Sequence, residues 1–83
     1  MIGVVQKYFI NGKLHRKNGP AVINHLGNVC AYYINGKLHR EDGPAVHDIG
    51  NPENGKEFLI DGKEIKVKTT EEFLRYVKMR IFL

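Results

Sequence analysis

Serine and tryptophan are absent from the 83 residues, and cysteine occurs once, as Cys30. Without serine there is no serine nucleophile, which excludes Ser-His-Asp acyl transfer outright. One cysteine cannot form an internal disulfide, whereas small secreted domains are usually stapled by several. The expected setting is therefore a reducing cytoplasm. Cys30 lies in the apolar run VCAYYI and reads as a small core residue rather than a nucleophile. Met1–Val5 is too short for the apolar region of a signal peptide, and no stretch has the length of a membrane span.

Length bounds the architecture next. A single domain over residues 1–83 buries roughly 60–65% of the surface its unfolded chain exposes, so the core is thin and no cleft between two domains exists. Hydrophobic residues make up 42% and charged residues 27%, a globular rather than a disordered composition. The net charge of +4 comes with acidic residues interleaved among the basic ones, which favours an anionic partner without naming one.

What the chain has instead is a repeat. YFINGKLHRKNGPAV (Tyr8–Val22) returns as YYINGKLHREDGPAV (Tyr32–Val46), identical at twelve of fifteen positions with a period of 24 residues. The copies differ at Phe9/Tyr33, Lys17/Glu41 and Asn18/Asp42. A degenerate third copy, FLIDGKEIKV, aligns Phe58, Ile60, Gly62 and Lys63 with Tyr32, Ile34, Gly36 and Lys37 but lacks the His-Arg and Gly-Pro pairs. The units read as 4–27, 28–51 and 52–66.

Each unit carries the grammar of β-hairpins. VVQKYFI and VCAYYI are β-branched and aromatic, and each reads as one strand; in the second, Cys30, Tyr32 and Ile34 share a face. Asn-Gly, or Asp61-Gly62 in the third unit, follows, and these pairs suit two-residue turns whose central residues need positive φ. KLHR then runs back as a short strand. Gly19-Pro20 and Gly43-Pro44 mark a second turn, because proline cannot donate to a ladder, and AVINH and AVHDI read as the strands beyond. The expected fold is mainly β, an antiparallel meander of short hairpins with one helix at its C-terminal end.

That helix is read over 69–83. Thr69 stands as N-cap with Glu72 at capping-box spacing, and Glu71, Lys78 and Arg80 complement the helix dipole. Phe73, Leu74, Tyr76, Val77 and Ile81 fall on one face, opposite Arg75 and Lys78, while Met79 and Phe82 fall off it. Its expected role is to cover an open end or face of the repeat sheet, with pairing to a second subunit or a partner as the alternative.

An aromatic strand, then Asn-Gly-Lys, a histidine and a turn glycine in units of about 24 residues resembles the MORN repeat and its variants. The matching positions are Tyr8/Tyr32, Asn11/Asn35, Gly12/Gly36, Lys13/Lys37 and His15/His39. Arg16 and Arg40 replace the glycine that normally follows the histidine, and the second glycine moves into NGP or DGP. This variant looks like repeats of small proteins from large bacteriophages and giant viruses. The resemblance covers roughly residues 4–66 and leaves out the helix. It implies protein or lipid binding and scaffolding without catalysis, and, for a viral protein, the cytoplasm of the host.

The residues themselves point the same way. His15, His25, His39 and His47 with one cysteine give no zinc spacing. Glu41, Asp42, Asp48 and Glu53 show no catalytic pairing, so no enzyme activity, metal or cofactor is expected. The duplicated His-Arg pair is the prominent polar feature. In the second unit Arg40 has Glu41 and Asp42 beside it; in the first, Lys17 and Asn18 leave the loop basic. The candidate binding residues are Lys13, His15, Arg16, Lys17, Lys37, His39 and Arg40. The leading expectation is a non-catalytic protein-binding module, a phage product that modulates or inhibits a host or defence protein. The alternatives are a binder of nucleic acid or a phosphorylated small molecule through the basic loops, and a self-assembling structural element using the helix or an edge strand.

Overall fold

The computed structural model describes residues 5–24, 26–51 and 54–81. Its strands are short and its connections antiparallel. The first repeat contains β1 (Gln6–Lys7), β2 (Phe9–Ile10), β3 (Lys13–Leu14) and β4 (Val22–Ile23). The second contains β5 (Val29–Ala31), β6 (Tyr33–Ile34), β7 (Lys37–Leu38) and β8 (Val46–Asp48). The degenerate unit supplies β9 (Lys56–Glu57), β10 (Leu59–Ile60) and β11 (Lys63–Glu64), and α1 (Thr70–Ile81) follows.

Two kinds of sheet result. A five-stranded meander runs in the order β1-β4-β5-β8-β9, with Lys7, Val22, Ala31, Val46 and Glu57 in one cross-strand row. Three separate hairpins, β2-β3, β6-β7 and β10-β11, stand beside it. The fold is thus mainly antiparallel β with one C-terminal helix.

VVQKYFI and VCAYYI therefore do not form single strands. Each run breaks at its aromatic residue, where the chain leaves the meander for a hairpin. Tyr8 N–H donates to the Ala21 carbonyl at 2.8 Å on the meander side, and its own carbonyl accepts from His15 N–H at 2.9 Å on the hairpin side. Tyr32 does the same with Ala45 at 2.7 Å and His39 at 2.9 Å. Both alanines are fully buried at this junction. Cys30 is half-buried in β5 rather than in the core. AVINH and AVHDI contribute only Val22–Ile23 and Val46–Asp48 as strands, and His25 lies outside the described residues.

The hairpin turns are those expected. Asn11-Gly12 has φ of 52° and 78°, Asn35-Gly36 52° and 82°, and Asp61-Gly62 50° and 81°. Two consecutive positive φ values define the type I′ turn, whose twist matches that of the flanking strands. Glycine is needed at the second position because a Cβ strains there, and Asn or Asp tolerates the first.

The apolar core lies at the C-terminal end, where Phe58, Ile60 and Phe73 are buried with Ile65, Val67 and Val77 packed against them. The helix starts as expected: Glu72 N–H donates to Thr69 Oγ1 at 3.1 Å, and the Glu72 carboxylate accepts from Lys68 N–H and the Thr69 hydroxyl, both at 3.3 Å. Its buried stripe is narrower than its sequence suggests. Phe73 and Val77, four apart, turn inward, while Leu74 and Tyr76 are exposed along with Met79. The sheet end offers only the width of one hairpin, so a two-residue seam suffices. The side chain of Ile81 and residue Phe82 lie outside the described part.

Candidate functional site

The His-Arg segment sits where each hairpin ends and the Gly-Pro loop begins. Arg16 lies over the Tyr8 ring with Cζ 4.1 Å from the centroid, and Arg40 lies over Tyr32 at 4.0 Å. From there Arg16 Nη1 donates to the Pro20 carbonyl and Arg40 Nη1 to that of Pro44, each at 3.2 Å. A guanidinium between an aromatic face and a turn carbonyl is held on both sides, and such cation–π contacts are each worth about 0.5–1 kcal/mol at exposed sites. The turn glycines complete the clamp. A Cβ on Gly19 would come within 3.1 Å of Arg16 Cζ, and one on Gly43 within 3.0 Å of Arg40 Cζ.

Arginine thus holds its own loop in both repeats, with or without neighbouring carboxylates. The basic first loop does not leave Arg16 without a structural role. The change from Glu41-Asp42 to Lys17-Asn18 alters only what surrounds the clamp. Arg40 Nε also bonds Asp42 Oδ1 at 2.9 Å, whereas Arg16 and Lys17 have no carboxylate within ion-pair distance among the described residues.

The histidines work between repeats. His15 Nδ1 accepts from Asn35 N–H, and His39 Nδ1 accepts from Asp61 N–H, both at 3.0 Å. Each imidazole therefore carries its proton on Nε2 and ties one unit to the turn of the next. The partner is a turn N–H that lies 20 or 22 residues away. Carboxylates flank His39, Asp61 Oδ1 at 3.3 Å from Nδ1 and Glu41 Oε2 at 3.6 Å from Nε2. Lys13 and Lys37 are exposed, with their stems lying over Gly36 and Gly62, the turns of the following hairpins.

Of the seven candidate residues, the structure brings Arg16, Lys17, His39 and Arg40 together. They line an open cleft of about 430 Å³ between the first Gly-Pro loop and the second hairpin, together with Asn18, Gly19, Tyr32, Ile34, Glu41 and Asp42. His15, Lys13 and Lys37 lie outside it, in the contacts between repeats. The cleft residues outside the candidate set are Glu41, Asp42, Asn18, Gly19, Tyr32 and Ile34. The signal for the first two was present, since they are positions where, or beside which, the copies diverge.

Chemically the cleft offers charged side chains of both signs beside Tyr32 and Ile34. No group of three or more His, Cys, Asp or Glu side chains that could hold a metal ion occurs among the described residues. No described helix is long and apolar enough to cross a membrane. No family model matches the chain, and the searches of curated proteins and of solved structures found no match either.

Proposed function

We propose that this chain is a non-catalytic protein-binding module built from MORN-like repeats, and that the cleft between its first and second units receives the partner. The observation that carries this reading is the mixed lining: Arg16, Lys17 and Arg40 together with Glu41 and Asp42, and Tyr32 and Ile34 among them. A protein surface supplies apolar groups and both signs of charge in one patch. A nucleic acid supplies one sign only, and Glu41 and Asp42 would stand against its phosphates. The rings of Tyr8 and Tyr32 each have one face taken by a guanidinium, which weakens base stacking further. The likeness of the repeats to those of small bacteriophage and giant-virus proteins supports a viral product that acts in host cytoplasm by occupying the surface of a host or defence protein.

The test is a photo-crosslinking residue at Asn18, in the cleft, compared with one at exposed Lys56 on the far edge strand. In lysate of the native host the Asn18 position should give a discrete protein adduct that the Lys56 position does not. The same set of adducts from both positions would remove the cleft from consideration.

A further inference from the structure

The two contacts between repeats are made by one set of bonds. Between the first and second units, Asn35 N–H donates to His15 Nδ1 at 3.0 Å, Gly36 N–H to the Leu14 carbonyl at 2.8 Å, and Arg16 N–H to the Tyr33 carbonyl at 3.2 Å. Between the second unit and the third hairpin, Asp61 N–H donates to His39 Nδ1 at 3.0 Å, Gly62 N–H to Leu38 at 2.8 Å, and Arg40 N–H to Leu59 at 3.2 Å. Each contact has a Leu-His-Arg side and a turn side, and the turn side offers two N–H groups and one carbonyl.

The first hairpin has a turn side with nothing on it among the described residues. The N–H groups of Asn11 and Gly12 and the carbonyl of Phe9 take the places of Asn35, Gly36 and Tyr33, yet no hydrogen-bond partner meets them. Phe9 is 58% exposed, whereas Leu59 at the same place in the third hairpin is 8% exposed. A Cβ at Gly12 would have no neighbour within 4 Å, while Gly36 and Gly62 lie under lysine stems. The turn is already in shape, with φ of 52° and 78° against 52° and 82° for its buried counterpart. Beside it, β1 is paired on one side alone, by β4, among the described residues.

We infer that this face is a docking site for a further β-hairpin of the same repeat type, carried by another polypeptide and presenting a Leu-His-Arg segment whose imidazole is free. The occupant continues the array by one unit, making the same three bonds that join the units within the chain and covering Phe9. A second copy of this chain does not supply it. His15 and His39 are both already engaged, and the third hairpin has Ile65 where the imidazole would stand: Ile65 N–H donates to the Phe58 carbonyl at 2.7 Å, as His39 N–H does to Tyr32. The site is separate from the cleft, so each can fail without the other.

Two experiments on the full chain test this. In the first, a cyclic peptide of residues 8–21, whose ends already meet through the Tyr8 to Ala21 hydrogen bond, is titrated into ¹⁵N-labelled protein. The amides of Asn11 and Gly12 should shift and exchange more slowly, those of Asn35 and Gly36 should not change, and a peptide with His15→Ala should bind several-fold more weakly. Equal binding by both peptides would overturn the inference. In the second, which does not depend on the peptide holding its shape, a copy of residues 8–31 is inserted ahead of Tyr8. The Asn11 and Gly12 amides should then be as protected as those of Asn35 and Gly36. Unchanged fast exchange there would overturn the inference, as would concentration-dependent protection of the same amides in the protein alone, which would assign the face to a second copy.

Discussion

Phe73 of the helix lies against Phe58 with ring centroids 4.9 Å apart. Phe58 holds the repeat position of Tyr8 and Tyr32, whose rings are covered by Arg16 and Arg40. The third unit has lost its His-Arg pair, and the helix covers the ring that the arginine would have covered. Ile65 replaces the histidine in the same change, so a polar contact to a next repeat becomes an apolar contact to the end. The array stops here because its last unit is rewritten for a helix rather than for another hairpin.

Phe73→Ala should therefore cost about 3–5 kcal/mol, as large-to-small changes at fully buried aromatic sites do. In a domain this small that is a large share of the total stability. Met79→Ala, on the exposed side of the same helix, should stay within about 0.5 kcal/mol. Urea unfolding of the two variants checks the contrast, and comparable losses would mean that the helix packs through another face.

The arginine clamps predict a difference between the repeats. Both arginines cover a tyrosine and bond a proline carbonyl, but only Arg40 has a carboxylate partner among the described residues. Arg40→Ala should exceed Arg16→Ala in destabilisation by about 0.2–1 kcal/mol, the worth of an exposed ion pair. The surplus should shrink at high salt. Lysine should rescue neither position, since it lacks the planar fork that lies on a ring while donating sideways.

Much of the scaffold was legible in the chain because its signals are local. Asn11-Gly12, Asn35-Gly36 and Asp61-Gly62 announce their turns, and Thr69 with Glu72 announces the helix start. The breaks at Tyr8 and Tyr32 were not legible, because they arise from simultaneous pairing with Ala21 or Ala45 and with His15 or His39, partners that no short window contains. Leu74 and Tyr76 fit an apolar helical face by spacing, but the width of the surface they meet is a property of the folded sheet. At the candidate site, the Lys17-Asn18 against Glu41-Asp42 difference was visible, while the way the loop of one unit faces the hairpin of the next was not.

Gly43→Ala tests the close approach of turn and guanidinium. A Cβ at 3.0 Å from Arg40 Cζ makes the guanidinium yield by a few tenths of an ångström over the Tyr32 ring, which should cost about 1 kcal/mol, the low end for overpacking. Combined with Arg40→Ala, the glycine substitution should cost much less than the sum of the two, with a coupling of about 0.5 kcal/mol or more. A double-mutant cycle gives the answer, and strict additivity would contradict the clamp.

His15→Ala and His39→Ala each remove one hydrogen bond between units, an expected loss of about 0.5–1.5 kcal/mol. Hydrogen exchange locates it: the Asn35 amide should speed up in the first variant and the Asp61 amide in the second. An unchanged amide in either case would show that its imidazole does not hold the next turn.

The cleft proposal is tested most directly by making the two loops alike. Lys17→Glu with Asn18→Asp converts the first loop to the sequence of the second and leaves every clamp and every contact between repeats in place. The measurement is retention of the partner, identified by crosslinking from the cleft, on the immobilised double variant, alongside its unfolding free energy. The expected result is stability within about 1 kcal/mol of the unmodified chain with the partner lost. Full retention of the partner by an equally stable variant would contradict the assignment of binding to the loop where the repeats differ.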